Sequence, residues 1–272
     1  MNYSMMAYTM TRQKEHFDFD EMLRLTVELG LAGIDFFGMC GLAAEELRAR
    51  VDDLGIPVVC YIFSANLGAD DDAQRAQALE VTKQQVAAAV ALGAPRVMVT
   101  TPGTEGVERA ESRKRWIGGF QAALPIMEEA GVTLTIENFP GAFSPFVVAD
   151  DVLEAIREVP GLKLTFDNGN AASGEAPGES FARCAEHVVH AHFKDWTIAD
   201  EPAPDRRLML DGRYYKAALI GEGDIDQAGT LAAMKRAGYD GCINIEYEAN
   251  DYAPVDAVRR AVEYLRGLEA TL

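Results

Sequence analysis

The sequence predicts an α/β protein folded as a single (β/α)8 TIM barrel, and three observations predict it. Short branched apolar runs alternate with longer amphipathic segments, the pattern of a parallel sheet built from repeated strand and helix units. Eight such units divide 272 residues into stretches of about 34, which suits a barrel of ~250 residues. No Gly-rich phosphate loop follows any strand: after Tyr8 the chain reads TMTRQKEHF, where an open doubly wound sheet usually carries such a loop.

The strand-like runs are 3–8, 31–37, 56–63, 95–101, 132–138, 162–168, 187–193 and 241–247, each rich in Val, Ile, Phe or Thr. The helices expected between them are FDEMLRLTVELG, AAEELRARVDDLG, AQALEVTKQQVAAAVALG, WIGGFQAALPIMEEAG, VADDVLEAIREVPG, a weaker segment at 177–186, IDQAGTLAAMKRAG and the closing PVDAVRRAVEYLRGL. Most of them stop at a glycine suited to a helix C-cap. No Pro- or Ser-rich linker divides the chain, so residues 1–272 read as one domain. The one long irregular stretch, about 195–224, follows the seventh strand and reads as an extended loop on the catalytic face of the barrel.

Composition trims the function classes. Lys and Arg number 25 against 43 Asp and Glu, a formal charge of −18. A phosphate backbone is bound through a basic footprint, so nucleic acid is not an expected partner. No apolar stretch approaches the ~18–20 residues of a membrane span, and the N-terminal segment lacks a signal-peptide pattern. A cytoplasmic protein is therefore expected, with no membrane partner. Cys40, Cys60, Cys184 and Cys242 have no C-x-x-C spacing and read as reduced thiols rather than disulfides or a zinc cluster. Only four histidines are present, which excludes a histidine-rich site.

In a barrel, alternate strand residues point inward, so residue type can be tested against strand parity. In the fifth strand Leu134 and Ile136 face the helices and Glu137 faces in. In the sixth, Leu164 and Phe166 face out and Asp167 in; in the seventh, Val189, Ala191 and Phe193 face out and His192 in; in the eighth, Ile243 and Ile245 face out and Glu246 in. Four successive strands thus end, at the carboxyl end of the barrel, with an inward ionisable group. Each alone has an ordinary structural explanation, as a salt-bridged strand end or a satisfied core histidine. Together, three carboxylates in one mouth would repel and be desolvated unless something positive sat among them. Three oxygen donors and one imidazole form a hard, mixed set, suited to one divalent ion: Mn²⁺ first, with Mg²⁺ or Co²⁺ as alternatives.

The segments IEN (Ile136–Asn138), FDNGN (Phe166–Asn170), HAHFKDW (His190–Trp196), IGEGDID (Ile220–Asp226) and INIEYE (Ile243–Glu248) give the sequence, over nearly its whole length, a form that resembles the sugar isomerases and epimerases of the xylose isomerase-like barrel superfamily. That resemblance implies a metal bound by Glu137, Asp167, His192 and Glu246, with Glu137 and Glu246 doubling as acid and base. It implies a keto-sugar isomerase or epimerase working through a metal-stabilised enediolate, with a small sugar as partner. Homo-oligomers are usual among relatives, although no interface stripe stands out in the sequence.

Asn170, Lys194 and Arg206 are the residues we assign to substrate binding. Asn170 stands where several ketose epimerases of the superfamily have a substrate-binding histidine, and Phe143 where they have a glutamate, so the sequence departs from that subfamily. Lys194 is inward by parity, one step above His192. Arg206 belongs to a basic group with Arg207, Arg213 and Lys216 in the 195–224 stretch, which could also pair with the acids beside it. Asp35, at the end of the second strand, reads either as a support behind the ligating residues or as a salt-bridge partner, the latter favoured. The glycines around Glu222 read as a tight turn rather than a phosphate site, since no basic residue adjoins them. The rival readings are a lyase or dehydratase acting on a keto sugar, keto-inositol or 3-keto-glycoside through the same site, and a non-catalytic sugar-binding barrel. The DNA-repair endonuclease branch of the superfamily needs many more histidines than this chain has.

Overall fold

A computed structural model describes residues 1–272. In chain order the elements are β1 (Asn2–Met6), α1 (Ala7–Thr11), α2 (Phe19–Glu28), β2 (Ile34–Phe37), α3 (Ala44–Asp52), β3 (Val58–Phe63), α4 (Asp72–Leu92), β4 (Arg96–Val99), α5 (Arg109–Ala130), β5 (Thr133–Glu137), α6 (Ala149–Glu158) and β6 (Lys163–Asp167). They continue with α7 (Asn168–Ala171), α8 (Pro177–Cys184), β7 (Val188–Phe193), β8 (Asp195–Ala199), β9 (Arg207–Leu208), β10 (Tyr214–Ala218), α9 (Gln227–Ala237), β11 (Cys242–Ile245) and α10 (Pro254–Glu269). Strands β1–β7 and β11 close into an all-parallel barrel, β1 pairing with both β11 and β2. The eight expected strands are the eight barrel strands. No helix is long and apolar enough to cross a membrane.

Helix ends follow local chemistry. Asp18, Asp71 and Asp226 cap α2, α4 and α9, each side chain accepting from a backbone N–H three residues on. Gly93, Gly131 and Gly238 end α4, α5 and α9 in the left-handed conformation that glycine adopts without a Cβ penalty. Two helices begin earlier than their apolar periodicity indicates. The Asp71 cap starts α4 at Asp72, and α5 starts at Arg109 because its polar first turns are held by ion pairs: Arg109 and Arg113 reach Asp151, and Arg113 also reaches Glu154 on α6.

Two further differences bear on the site. The first strand ends at Met6 instead of Tyr8, and residues 7–11 turn into α1, which carries Tyr8 over the mouth. The stretch at 195–224 is not irregular: β8, β10 and β9 form a three-stranded antiparallel sheet in which Tyr214–Ala218 pairs with Asp195–Ala199. Its alternation is weak because one face meets the buried Trp196, Met209 and Tyr215 while the other is largely wet.

The main core lies between the strands and the helices, where Leu134, Ile136, Leu164, Phe166, Ile243 and Ile245 are buried as strand parity requires. The barrel interior is different. On the β1, β3 and β4 side it holds a small apolar cluster of Met6, Cys60, Ile62 and Met98. Elsewhere it is polar: Ser4, Asp35, Thr135, Thr165, His190 and Asn244 are all fully buried. Branched apolar layers usually fill this space. Here the polar groups are hydrogen-bonded to one another, Thr165 to Thr135 and Asn244 to Ser4, which is what makes their burial tolerable. Cys60 and Cys184 are buried, Cys40 and Cys242 half-buried, and all four are free thiols.

Candidate functional site

Glu137 ends β5, Asp167 ends β6, His192 is the penultimate residue of β7, and Glu246 follows β11 directly. One ligand atom from each lies within 4.8 Å of the others, and all four residues are buried. Neighbouring backbone holds them there. Asn138 clasps the main chain of Asp167, donating to its carbonyl at 2.7 Å and accepting from its N–H at 2.8 Å. Asn168 accepts from the N–H of Lys194 at 3.1 Å and donates to Gln227, which in turn donates to the Lys194 carbonyl. Between them Gly169 must be glycine, because a Cβ there would lie 2.5 Å from the Lys194 side chain.

His192 faces the cluster with Nδ1, 2.7 Å from Glu137 Oε1 and 3.8 Å from Glu246 Oε2. Lys194, also buried, places Nζ 2.9 Å from Glu246 Oε2, 3.2 Å from Asp167 Oδ2 and 3.5 Å from Glu248 Oε1. Burial alone would lower the Lys194 pKa, but the carboxylates of Asp167, Glu246, Glu248 and Glu137 outweigh it and hold the ammonium firmly charged. Burial works against the charged form of His192 as well, yet Asp35 and Glu137 override it and raise that imidazole well above its ordinary value. One lysine does not balance the cluster. Burial raises the Asp167 carboxyl far above the usual range, with Glu137 and Glu246 adding to it against Lys194 and the Asn170 N–H. Glu248 is raised too, by burial and by Glu246, against Lys194.

Asp167 Oδ2 and Glu246 Oε2 are buried and have only the shared Lys194 ammonium beside them, at 3.2 and 2.9 Å, with no aligned hydrogen bond. Three carboxylates and an imidazole converging on one point with a single ammonium among them fit a divalent cation, and the donor set is of the hard, oxygen-rich kind.

A cavity of about 330 Å³ opens over this cluster. Its floor is Glu137, His192, Lys194, Glu246 and Glu248; its facing wall is apolar, with Tyr8, Phe37, Met98, Phe139 and Pro140. Tyr8 and Phe37 meet edge to face with ring centres 5.7 Å apart, which stiffens that wall. Lys194 and Arg207 are the basic side chains that line it. On one flank the Ala142 N–H donates to the Leu208 carbonyl at 3.1 Å, joining the loop after β5 to the edge of the hairpin sheet. On the opposite flank Ser64, Thr100 and Pro102 belong both to this cavity and to an adjoining polar compartment of about 410 Å³. There the Ser64 and Thr100 hydroxyls lie 2.8 Å apart.

Of the residues assigned to substrate, Lys194 lines the cavity. Asn170 does not: it is fully buried behind Asp167, its N–H donating to Asp167 Oδ1 and both polar atoms of its side-chain amide left without partners. Arg206 also lies elsewhere, because its guanidinium donates to the Thr197 and Tyr214 carbonyls and pins the hairpin; its neighbour Arg207 reaches the cavity instead. The other basic residues of this stretch pair locally, Arg213 with Asp211 and Lys216 with Asp205. Glu248 was missed, though it is two residues beyond Glu246 and strand parity carried past the strand end would have found it. The glycines around Glu222 do form a turn, with Gly221 and Gly223 donating to Asp195 rather than to a ligand. Asp35 is paired, and its partners are two histidines inside the barrel, where it is fully buried.

Residues 23–268 match a family described as xylose isomerase-like TIM barrel. Among characterised relatives, an inosose dehydratase of Lacticaseibacillus casei is 30% identical over 148 residues, 53% of this chain. The match spans about half, 49%, of that relative's own length. An L-ribulose-5-phosphate 3-epimerase of Salmonella paratyphi C is 25% identical over 268 residues, covering 94% of this chain and 86% of the relative. The crystal structure of an IolI protein with a bound zinc atom superposes with a TM-score of 0.83 at 17% identity, covering 100% of this chain and 99% of that one, a likeness of fold. With a match that runs from α2 to α10 on a closed eight-stranded parallel barrel, the chain belongs to the xylose isomerase-like TIM-barrel family.

Proposed function

We propose that this protein is a divalent-metal-dependent isomerase or epimerase of a keto sugar or a keto-sugar derivative. The observation that carries the proposal is the convergence of Glu137, Asp167, His192 and Glu246 on one point, with a single ammonium set against three buried carboxylates. Those four residues would hold the ion, Mn²⁺ in our reading, with Mg²⁺ and Co²⁺ also suited to the donors. When bound, such an ion polarises a carbonyl oxygen and stabilises the negative charge that develops beside it.

The remaining work falls to the chain itself. Glu137 and Glu246 enter the cavity floor from β5 and from beyond β11, three strands apart around the barrel. A substrate carbon between them can lose its proton to one carboxylate and receive one from the other. Return to the same carbon on the opposite face is epimerisation, and return to the neighbouring carbon is isomerisation. The Lys194 ammonium, 2.9 Å from Glu246, offers a hydrogen bond to a substrate oxygen on that side. The wall of Tyr8, Phe37 and Phe139 keeps water from the reacting face and offers an apolar surface to the carbon-bound hydrogens of a sugar ring.

A second reading, a lyase or dehydratase, is favoured by one observation: the cavity pairs this apolar wall with only two basic side chains, one of them committed to three carboxylates. That lining suits a neutral cyclic ketone better than a phosphorylated open chain, and a leaving group beside the abstracted proton would then depart. Inosose dehydratase activity in a relative is consistent with it. The deciding experiment is incubation in D₂O with Mn²⁺ and a panel of free, phosphorylated and 3-keto sugars and keto-inositols. Deuterium in a product of unchanged composition supports the first reading, and loss of water or an alcohol supports the second. Absence of both exchange and metal uptake would leave a sugar-binding barrel and sink the enzymatic proposal.

Metal should also stabilise the fold, since it binds charges that are otherwise buried and mutually repulsive. Mn²⁺ at about 100 times its Kd is expected to add about 2.7 kcal/mol. For a chain of this size that is a Tm rise of roughly 5–10 °C. Differential scanning fluorimetry with and without a chelator checks it, and a Tm indifferent to both would contradict the site.

A further inference from the structure

We infer that Asp35 is a positioning residue, which fixes the His192 imidazole so that Nδ1 is the nitrogen presented to the four-residue cluster. The inference rests on the metal reading given under Proposed function and names a residue outside the four.

Asp35 projects from β2, across the barrel from β7, and is fully buried. Its Oδ2 lies 2.5 Å from His190 Nε2 and 3.3 Å from His192 Nε2. An ionised carboxylate only accepts hydrogen bonds, so both Nε2 atoms carry their protons. The carboxylate is in turn confined from the far side. Ser4 Oγ stands 3.5 Å from Oδ1, and Asn244 Nδ2 donates to Ser4 at 3.1 Å. His190 packs perpendicular to His192, with ring centres 5.1 Å apart, and so limits rotation of the second ring. With Nε2 committed to Asp35, the nitrogen left toward Glu137 and Glu246 is Nδ1, as the 2.7 and 3.8 Å distances record.

Asp35, His190 and His192 could themselves be taken for a second metal site, since their ligand atoms also lie within 4.8 Å of one another. The 2.5 Å separation of Asp35 from His190 argues otherwise. Two donors each about 2 Å from a shared ion in tetrahedral geometry stand roughly 3 Å apart or more, whereas 2.5 Å is a short hydrogen bond. A carboxylate behind a ligating imidazole sets its tautomer and orientation, and losing such a partner typically weakens metal binding by about 10- to 100-fold.

The test is a Co²⁺ titration of the full-length protein, followed by visible absorption, in the wild type and in Asp35→Asn. The amide matches the carboxylate in shape and keeps one acceptor oxygen, so the buried space is unchanged while the negative charge that strengthens the hydrogen bond to His192 is lost. Expected are a Co²⁺ Kd weaker by about 10- to 100-fold and an altered d–d spectrum. A purely structural role would instead lower the Tm of the metal-free protein and leave the Kd and spectrum of the folded fraction unchanged; that result overturns the inference. A measurement on the wild type needs no variant to fold. In Zn²⁺-loaded protein with ¹⁵N-labelled histidine, His192 should show a proton on Nε2 and metal-shifted Nδ1, and the reverse assignment overturns it. Uptake of two Co²⁺ ions per chain, one lost in Asp35→Asn, would also overturn it in favour of a second centre. The functional proposal fails separately: a protein that exchanges no keto-sugar proton yet binds Co²⁺ with this dependence on Asp35 keeps the inference and loses the activity.

Discussion

Glu246→Gln is expected to lower kcat on a keto-sugar substrate by a factor of about 10² to 10⁴, the range for removing a positioned acid or base. The amide keeps the shape of the side chain, so the cavity stays intact. What disappears is the carboxylate that faces Lys194 at 2.9 Å and contributes an oxygen to the four-residue cluster. Glu137→Gln should fall in the same range for the corresponding reason at the other side of the floor, where Oε1 lies 2.7 Å from His192 Nδ1. The two losses should not multiply in the double variant, because residues that act as a unit are grossly non-additive. Steady-state turnover at saturating Mn²⁺ checks this, alongside a Co²⁺ titration to separate lost chemistry from lost metal. Retention of more than a tenth of wild-type kcat in either single variant would remove that glutamate from the acid–base pair.

Asp195→Ala is expected to cost about 3 kcal/mol of stability, the largest loss we assign to a single polar side chain outside the cluster. Asp195 is buried and its two oxygens accept four backbone N–H groups: Trp196 at 2.9 Å and Ile225 at 3.1 Å on Oδ1, Gly221 at 2.9 Å and Gly223 at 3.1 Å on Oδ2. The amides of Gly221 and Gly223 lie nearer the surface and can turn to water. Those of Trp196 and Ile225 belong to buried residues, and stranding two buried donors at ~1–3 kcal/mol each sets the estimate. In thermal denaturation this is a Tm loss of roughly 6–12 °C. Asp195→Asn should lose less, since it keeps one acceptor oxygen. Because Asp195 adjoins Lys194 and begins β8, turnover should fall with stability. A Tm within 1 °C of wild type would show that this loop is held by something else.

Much of this molecule was legible because a parallel barrel writes itself in alternation. Leu134, Ile136, Leu164, Phe166, Ile243 and Ile245 must face the helices, which forces Glu137, Asp167 and Glu246 inward at the strand ends, where one strand after another delivers an ionisable group. What was not legible has physical reasons. The partners of Asp35 could not be named because they lie 155 and 157 residues away and across the barrel, a proximity that no local pattern encodes. Arg206 and Arg207 are adjacent, and only the pairing of the hairpin decides that one guanidinium binds main-chain carbonyls while the other reaches the cavity. The hairpin itself was hidden because its short strands bury one face on a small local cluster, apart from the barrel core. Asn170 was placed by a resemblance to relatives whose residue there differs, and the amide instead packs behind Asp167.

The hydrogen bond from Ala142 to the Leu208 carbonyl has a bearing on traffic through the site. It ties two loops across one flank of the mouth, and Arg206 anchors one of them to its own sheet. Passage on that side requires both to give way. The other flank has no main-chain tie of this kind: Ser64 and Thr100, whose hydroxyls meet at 2.8 Å, stand between the cavity and the polar compartment beyond β3 and β4. On that side only a contact between two side-chain hydroxyls separates the two spaces, whereas the hairpin side is bridged by a main-chain hydrogen bond between two loops.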